Sequence, residues 1–355
     1  MASPVYMRKE WYGSILPSNI TVPLPTAAEL VSLCKETNRH GYTIGAPYPR
    51  GTEPPVFWIK YGPSIVWNEL AGRKKAHDGL RNLESQVRAP AIYYACQVAI
   101  PYKDDPNGWP AHRTYVVMEY VPGRAAAQRL QDALDDDAMK DLIYAKIAFA
   151  LSELHRIPVP QDSRPAAANG GRIRHELFDD NQASLHYRNI GELEQHLDLF
   201  LTMKKGQYRI ENLAQEPMVF CYSDVWLDNF IIDDTDRIIV VNFEDVNILP
   251  SSFSKFILAG TRDKIGRDVR HMVVVPETEG VDNTSALIAV ARPMMIGSGS
   301  FAKAGRKLLG YYTRDEDDVV DKTVTDAQGV PVYAFMEPSG PPDVPVPVST
   351  PPFKQ

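Results

Sequence analysis

The chain has 355 residues, of which 44% are hydrophobic and 23% are charged, and its formal net charge is −7. This composition is that of an ordinary globular protein, and the negative charge excludes a general field that would attract nucleic acid or an anionic membrane. No apolar stretch is long enough to span a bilayer, and the first residues lack the continuous apolar segment of a signal peptide. We therefore expect a cytoplasmic protein whose partners include no nucleic acid and no membrane.

Residues 1–39 are predicted to be an N-terminal extension that contains one helix. The helix begins in "PTAAELVSLCKET", where Thr26 can act as the N-cap and Glu29, three residues later, can complete a capping box. The only cysteines are Cys34, Cys96 and Cys221, which show no paired spacing, and no two histidines are four residues apart. A zinc site or a disulfide framework is therefore not expected.

Residues 40–122 are predicted to form a small β-rich lobe. Strand-like runs occur in "HGYTIGAPYPRG", "PPVFWIKYG", "AIYYACQVAIPY" and "RTYVVMEYVPG", where β-branched and aromatic residues lie between turn residues. One helix, in "SIVWNELAGRKKAHDGLRNL", is inserted between the second and third of these runs.

Residues 123–336 are predicted to form a larger, mainly helical lobe. Two helices are expected in "AAAQRLQDALDDDAMKDLIYAKIAFALSELHRI" and another in "IGELEQHLDLFLTMKK". The second helix is expected to direct these residues toward a core: Leu142, Ala145, Ala148, Phe149 and Leu151. Strands follow in "VFCYSDVWLDNFIIDDTDRIIVVNFEDV", and residues 337–355 read as an extended Pro-rich tail.

Five polar residues have the spacing of a phosphoryl-transfer site. Lys60 ends a strand, and Glu69 lies nine residues later in the next helix, where it could pair with the lysine. Asp224 and Asn229 share one loop, and Asn242 ends the following strand pair. Phosphoryl transfer needs a cation on the phosphates, a carboxylate at the acceptor hydroxyl and oxygen ligands for magnesium. The same residues could instead be a surface lysine, a solvated glutamate and ordinary turn formers.

At these residues the sequence resembles the aminoglycoside phosphotransferase and choline-kinase-like group. The resemblance rests on "FWIKYG", "VMEYVPG", "LSELHRI", "YSDVWLDNFIIDD" and "IIVVNFED", in this order over about residues 40 to 260. It implies an α+β, two-lobed, protein-kinase-like fold with a β-rich N-lobe and a mainly helical C-lobe. It also implies ATP and Mg²⁺ as cofactors and a small molecule as the substrate.

The resemblance assigns a role to each matching position. It makes Asp224 the catalytic base and gives Asn229 and Asn242 the metal-facing positions. The hinge "MEYVPG" would present backbone groups of Glu119 and Val121 to adenine. The residues that would hold and orient the nucleotide phosphates are Lys60 and Glu69.

Two positions depart from the pattern of the group. Tyr222 stands where the group has His, a residue that mainly braces the loop, and Asn242 stands where the group has its principal metal-binding Asp. A neutral amide offers a hard cation one oxygen and no charge. Glu244 and Asp245 are expected to be capping or solvated carboxylates, although one of them could replace the missing ligand.

Three functions remain open from the sequence. The first is ATP-dependent phosphorylation of a hydroxyl group, possibly weakened by Asn242. The second is a pseudokinase scaffold that would act through a protein partner. The third is a cleft repurposed for metal-independent chemistry on a small molecule.

Overall fold

The computed structural model describes residues 6–34, 44–51, 54–100, 111–203 and 208–297. Three predicted regions lie wholly or partly outside the described residues. They are the Pro-rich tail, the portion of the larger lobe beyond residue 297 and part of the N-terminal extension. Within the described ranges, no helix combines the length and the apolar character that crossing a membrane requires.

The first lobe is built on one antiparallel sheet. Its strands are β1 (Tyr6–Tyr12), β2 (Ile44–Tyr48), β3 (Phe57–Gly62), β4 (Ile92–Ile100) and β5 (Ala111–Glu119). They are hydrogen-bonded in the order β1-β4-β5-β3-β2. The sequence did not predict β1, which pairs with β4 and buries Trp11 opposite Ala95. Among the β1 residues whose burial the structure describes, Trp11 is the one buried large apolar residue, so the alternation signal of the strand is weak.

Two helices cover the two faces of this sheet. Helix α1 (Ala27–Leu33) begins with the predicted capping box, in which the Glu29 amide donates to Thr26 Oγ1 and Glu29 Oε2 accepts from the Thr26 amide at 2.7 Å. Helix α2 (Trp67–Asn82) packs Leu70 against the other face. Because side chains alternate along a strand, Trp58 and Lys60 of β3 point toward the α2 face.

The second lobe contains six helices and six short strands among the described residues. The helices are α3 (Ala126–Asp132), α4 (Asp137–His155), α5 (Ile190–Met203), α6 (Ser251–Ala259), α7 (Thr261–Ile265) and α8 (Thr284–Gly297). The strands are β6 (Arg124–Ala125), β7 (Ala166–Ala167), β8 (Met218–Tyr222), β9 (Phe230–Ile232), β10 (Ile238–Val240) and β11 (Val246–Pro250). They form two antiparallel sheets, β10-β9-β6 and β7-β11-β8. The loops after β8 and β10 connect these two sheets.

The predicted core face of α4 is partly wrong. Ala148 and Leu151 are buried as expected, but Leu142 and Phe149 are 45% and 41% exposed. The buried stripe runs through Ile143, Ile147, Leu151 and Leu154. This stripe is offset by one residue, about 100° around the helix, from the one that Leu142 would begin. Both stripes are apolar, so periodicity alone did not separate them.

Candidate active site

Lys60 and Glu69 form the predicted ion pair. Lys60 Nζ lies 2.7 Å from Glu69 Oε2, and the two side chains are 17% and 2% exposed. The strand β3 directs Lys60 toward α2, and the first turn of α2 carries Glu69. The nine-residue spacing therefore brings the two charges together in a mostly buried position.

A second cation, Arg73, also binds Glu69, and the sequence did not single it out. Arg73 lies one helical turn after Glu69 and donates Nη2 to Glu69 Oε1 at 2.9 Å. Its guanidinium also lies over the Phe243 ring, 5.6 Å from the centroid. Burial alone would raise the pKa of Glu69, but the charges and hydrogen bonds of Lys60 and Arg73 hold this pKa below its ordinary value. The carboxylate is thus kept ionised and fixes the position of Lys60.

Asp224 receives two side-chain amides. Asn229 Nδ2 donates to Asp224 Oδ2 and to the Asp224 carbonyl, each at 2.8 Å, and Asn242 Nδ2 donates to the same Oδ2 at 2.5 Å. Burial raises the pKa of Asp224, whereas the hydrogen bonds of both amides and the charge of Lys60 act in the opposite direction. The D-x-x-x-x-N loop therefore orients one carboxylate and does not form an ordinary surface turn.

Asn242 also links Asp224 to the ion pair. Its Oδ1 accepts a hydrogen bond from Lys60 Nζ at 3.1 Å. The residue has a φ of 59°, in the left-handed region that Asn tolerates better than most residues. Glu69, Lys60, Asn242 and Asp224 therefore form one continuous chain of hydrogen bonds, which joins the two lobes.

The donor set does not fit a magnesium ion held tightly by the protein. The amide nitrogens of Asn229 and Asn242 face Asp224, and the oxygen of Asn242 is directed at Lys60. In the part of the chain that the structure describes, no three His, Cys, Asp or Glu side chains are grouped in a metal-binding arrangement. Asp224 is the one carboxylate in this set, and hard cations prefer several charged oxygens.

Tyr222 braces the loop in place of the expected histidine. Its hydroxyl donates to the Val241 carbonyl at 2.8 Å, directly before Asn242. Its ring makes edge contacts with Phe230 and Phe243, with centroids 6.3 and 5.5 Å away. An aromatic residue therefore connects the loops after β8 and β10 and supports the two amides at Asp224.

The expectation that Glu244 and Asp245 are solvated or capping carboxylates is wrong. Both bind Arg174, at 3.0 Å from Glu244 Oε1 and 3.1 Å from Asp245 Oδ1. Burial raises the pKa of each carboxyl group, and the Arg174 charge opposes this rise. Arg174 follows β7 and is distant in the sequence, so no local pattern indicated it.

Trp58 lies near both Lys60 and the hinge. It lies two residues before Lys60 on the same face of β3, and a Cβ added to Gly45 would lie 2.2 Å from its ring. Its ring centroid is 6.5 Å from that of Tyr120 in the hinge. The sequence analysis missed this residue, although the two-residue period of a strand predicts that it shares a face with Lys60.

The hinge backbone is partly used within the protein. The Glu119 carboxylate binds Arg88 at 2.5 Å, and its amide donates to the Ala91 carbonyl. The Tyr120 amide donates to the Val56 carbonyl at 3.0 Å. For the Val121 amide, the described residues provide no backbone acceptor. The Glu119 carboxylate is thus held by Arg88 and by the Ala91 amide.

The model of the phosphotransferase enzyme family matches residues 47–250, more than half of the chain. This chain belongs to that family. The predicted resemblance and the two-lobed, protein-kinase-like α+β fold are confirmed. Membership in the family supports phosphoryl transfer to a small molecule as the class of function.

Three solved structures that are similar to this chain all carry the designation APH. A thermostable mutant of aminoglycoside phosphotransferase APH(4)-Ia in its apo form is 12% identical, with 76% of this chain and 87% of that chain covered and a TM-score of 0.39. The AMP-bound complex of spectinomycin phosphotransferase APH(9)-Ia is 10% identical, covering 67% and 74%, with a TM-score of 0.32. The streptomycin-ATP-APH(2")-IIa ternary complex is 15% identical, covering 66% and 76%, with a TM-score of 0.31. No curated protein matches the chain by sequence.

Proposed function

We propose that this protein is an ATP-dependent phosphotransferase that phosphorylates a hydroxyl group of a small molecule. The observation that carries the proposal is the hydrogen-bonded chain from Glu69 through Lys60 and Asn242 to Asp224. The amide of Asn242 bridges Lys60, a cation suited to phosphates, and Asp224, a carboxylate suited to a hydroxyl. Positioning and charge neutralisation of this kind are the main requirements of phosphoryl transfer.

The nucleotide would lie between Trp58 and the hinge. Lys60 would hold its phosphates while Glu69 keeps the ammonium group in place, and backbone groups of Glu119 and Val121 would contact the adenine. The buried Glu69 carboxylate has two cations, so Lys60 can turn toward a phosphate without leaving Glu69 unpaired. This is the role that we assign to Arg73.

The acceptor hydroxyl would bind at Asp224. Both amides donate to Oδ2, so Oδ1 is the oxygen we assign to the hydroxyl proton. Asp224 would accept the hydroxyl proton as the hydroxyl oxygen bonds to the γ-phosphorus of ATP and the bond between that phosphorus and the ADP oxygen breaks. Burial raises the pKa of Asp224, which makes it a better base than an exposed aspartate.

Of the two expected cofactors, only ATP enters this mechanism. Asn229 and Asn242 are the residues that would face a magnesium ion carried by the nucleotide, and Asp224 would supply the one protein charge. Because this donor set fits such an ion poorly, we assign no step of the reaction to it.

A pseudokinase is the second candidate, and Asn242 is the observation that favours it. The amide occupies the position of the family's metal-binding carboxylate, and it connects Lys60 to Asp224 directly. A pseudokinase would keep the nucleotide cleft and the lobe arrangement, transfer no phosphate and act through a protein partner. An assay of phosphoryl transfer from ATP to hydroxyl-bearing small molecules separates the two candidates.

Calorimetric titration with ATP tests the cleft. We compare the wild type with Lys60→Met and with Lys74→Met, which removes a partly exposed lysine paired with Asp78 on α2. Losing a charge-assisted contact to phosphate should weaken ATP binding by about tenfold or more in Lys60→Met. Lys74→Met should bind as the wild type does. Absence of ATP binding to the wild type, or equal affinity in the folded Lys60→Met variant, would overturn the proposal.

A further inference from the structure

The end of the hinge is fixed to the β10-β9-β6 sheet of the second lobe. Strand β6 begins directly after Gly123 and pairs with β9, where Ala125 lies opposite Ile231. Gly123 has a φ of 129°, and a Cβ added to it would lie 2.6 Å from the Ile232 carbonyl oxygen. Glycine therefore allows the hinge to approach β9 closely before it enters the sheet.

The opposite edge of the same sheet is extended by Arg88, a residue of the first lobe. Its amide donates to the Ile238 carbonyl at 3.2 Å, and the Val240 amide donates to the Arg88 carbonyl at 2.9 Å. These two bonds form a parallel bridge between Arg88 and Ile239 of β10. Arg88 lies in the connection between α2 and β4, so this is a main-chain contact between the lobes outside the hinge.

The side chain of Arg88 reaches from this edge to the start of the hinge. Its Nη2 donates to Glu119 Oε1 at 2.5 Å, and Glu119 Oε2 accepts from the Ala91 amide at 3.2 Å. The Glu119 amide donates in turn to the Ala91 carbonyl at 2.9 Å. Arg88 therefore connects the start of the hinge to the same sheet that holds its end.

The strands of this sheet also lead to both amides that contact Asp224. Asn229 directly precedes β9, and Asn242 follows Val240, the last residue of β10, by two positions. The Val241 amide donates to the Asn229 carbonyl at 2.9 Å, which joins the two segments next to the site. One sheet therefore sets the positions of the hinge and of the two amides.

Water reaches the ion pair of Arg88 and Glu119. The two side chains are 42% and 23% exposed and line one groove. An ion pair of this kind contributes little to the free energy of unfolding. Its loss would release the start of the hinge without unfolding the protein, so the effects on nucleotide binding and on stability can be measured separately.

We propose that Arg88 is a positioning residue, which holds the hinge in place for the base of the bound nucleotide. The inference rests on the proposed function, in which backbone groups of the hinge contact adenine while Lys60 holds the phosphates. Arg88 would act through Glu119 and make no contact of its own with the nucleotide. A hinge that is fixed before binding does not have to be ordered by the nucleotide, and the cost of such ordering would reduce the affinity.

Calorimetric titration of single and double variants with ATP tests this inference. Arg88→Met removes the guanidinium group and keeps the main-chain bridge to β10, and Glu119→Ala removes its partner. Each change should weaken ATP binding about tenfold. The double variant should bind no more weakly than either single variant, because both changes break the same link. Arg88→Lys keeps a cation at Glu119 and should retain most of the affinity.

Arg124→Met is the matched control. Arg124 forms an exposed ion pair with Asp132 just beyond the hinge, and the change leaves the main chain of β6 in place. This variant should bind ATP as the wild type does. Thermal unfolding should show a similar, small decrease of the unfolding temperature in Arg88→Met and Arg124→Met, because both pairs are exposed to water.

Three results would overturn the inference and leave the proposed function intact. They are wild-type affinity for ATP in Arg88→Met, losses that add up in the double variant, and a loss in Arg88→Lys as large as in Arg88→Met. If Arg88→Met does not fold, Glu119→Ala decides, and wild-type affinity in that variant overturns the inference. Absence of ATP binding to the wild type would overturn the proposed function, and this inference with it.

Discussion

Asn242 donates its side-chain amide to Asp224 Oδ2 at 2.5 Å and accepts from Lys60 Nζ at 3.1 Å. An amide can accept from a lysine and donate to an aspartate at the same time, whereas an ionised carboxylate can only accept. A carboxylate at residue 242 would face the Asp224 carboxylate without a proton or a cation between them. The amide therefore allows Lys60, Asn242 and Asp224 to remain hydrogen-bonded without a metal ion. This indicates that Asn242 is an integral part of the site.

Asn242→Asp should make ATP binding depend on magnesium. Two adjacent carboxylates repel each other, so the variant should be less stable than the wild type without metal. With magnesium, its affinity for ATP should rise about 10-fold to 100-fold, the range associated with metal-site changes. Calorimetry with and without magnesium measures this effect. Asn212→Asp is the control, because Asn212 is exposed and has a similar φ of 57°. A folded Asn242→Asp variant without magnesium-dependent ATP binding would contradict a latent metal site.

Glu69→Gln should destabilise the protein far more than Asp78→Asn in the same helix. The first change leaves Arg73, which is 3% exposed, without its anionic partner, and breaking a buried pair costs about 3–5 kcal/mol. The second breaks a partly exposed pair with Lys74, and pairs near the surface contribute about 0–1 kcal/mol. Urea unfolding of both variants measures the difference. Equal losses of unfolding free energy would show that Glu69 is not the buried anchor described above.

The free energy of unfolding should fall as the pH drops below about 6.5. Burial lowers the pKa of His155 to about 4, that of His175 to about 3 and that of His196 to about 4. Below 6.5 the unfolded chain binds these protons while the native protein does not, so the stability that neutral histidines give above 6.5 is lost toward pH 4. Each histidine contributes a slope of roughly 1.4 kcal/mol per pH unit in this window.

Urea unfolding of two histidine variants checks the sign and the source of this slope. His155→Gln should show a shallower decline between pH 6.5 and pH 4 than the wild type. His271→Gln removes an exposed histidine and should leave the slope unchanged. Constant stability of the wild type over this range would contradict the burial of neutral histidines.

Trp58 should report the binding of ATP. Because its indole lies over Gly45 and near Tyr120, a base in the cleft should change its fluorescence. Trp58→Phe should abolish most of the fluorescence change while ATP still binds in calorimetry. Trp226→Phe, which alters a 49% exposed tryptophan, should keep the change. A fluorescence response that persists in Trp58→Phe would show that Trp58 does not lie next to the bound nucleotide.

The parts of the site that the sequence predicted are those set by short spacings. Lys60 and Glu69 are nine residues apart on a strand and the next helix, and Asp224 and Asn229 share one loop. Their local geometry leaves few alternatives, so Lys60 and Glu69 pair as predicted. Asn229 contacts Asp224 through its amide nitrogen, a contact that the sequence did not predict. Arg73 also lies within one helical turn of Glu69 and could have been recognised from that spacing.

The remaining features depend on contacts between distant segments. Arg174 reaches Glu244 and Asp245 across about 70 residues, and β1 joins the sheet through an edge with little apolar alternation. A cavity lined by Trp67 of α2 and by Arg174 of the second lobe likewise depends on where the two lobes meet. Patterns of hydrophobicity and spacing within one segment carry no information about contacts between distant segments. These features could therefore be identified only from the structure.

The proposal that this protein is an ATP-dependent phosphotransferase is tested by measuring transfer of the γ-phosphoryl group from ATP to a mixture of hydroxyl-bearing small molecules. Mass spectrometry would detect the phosphorylated acceptor, with the wild type, Asp224→Asn and the exposed control Asp234→Asn compared at equal concentration. We expect transfer by the wild type, a loss of about 100-fold or more in Asp224→Asn, and wild-type transfer in Asp234→Asn. Transfer that is equally fast in Asp224→Asn, or ATP binding by the wild type with no phosphorylated acceptor, would contradict the proposal.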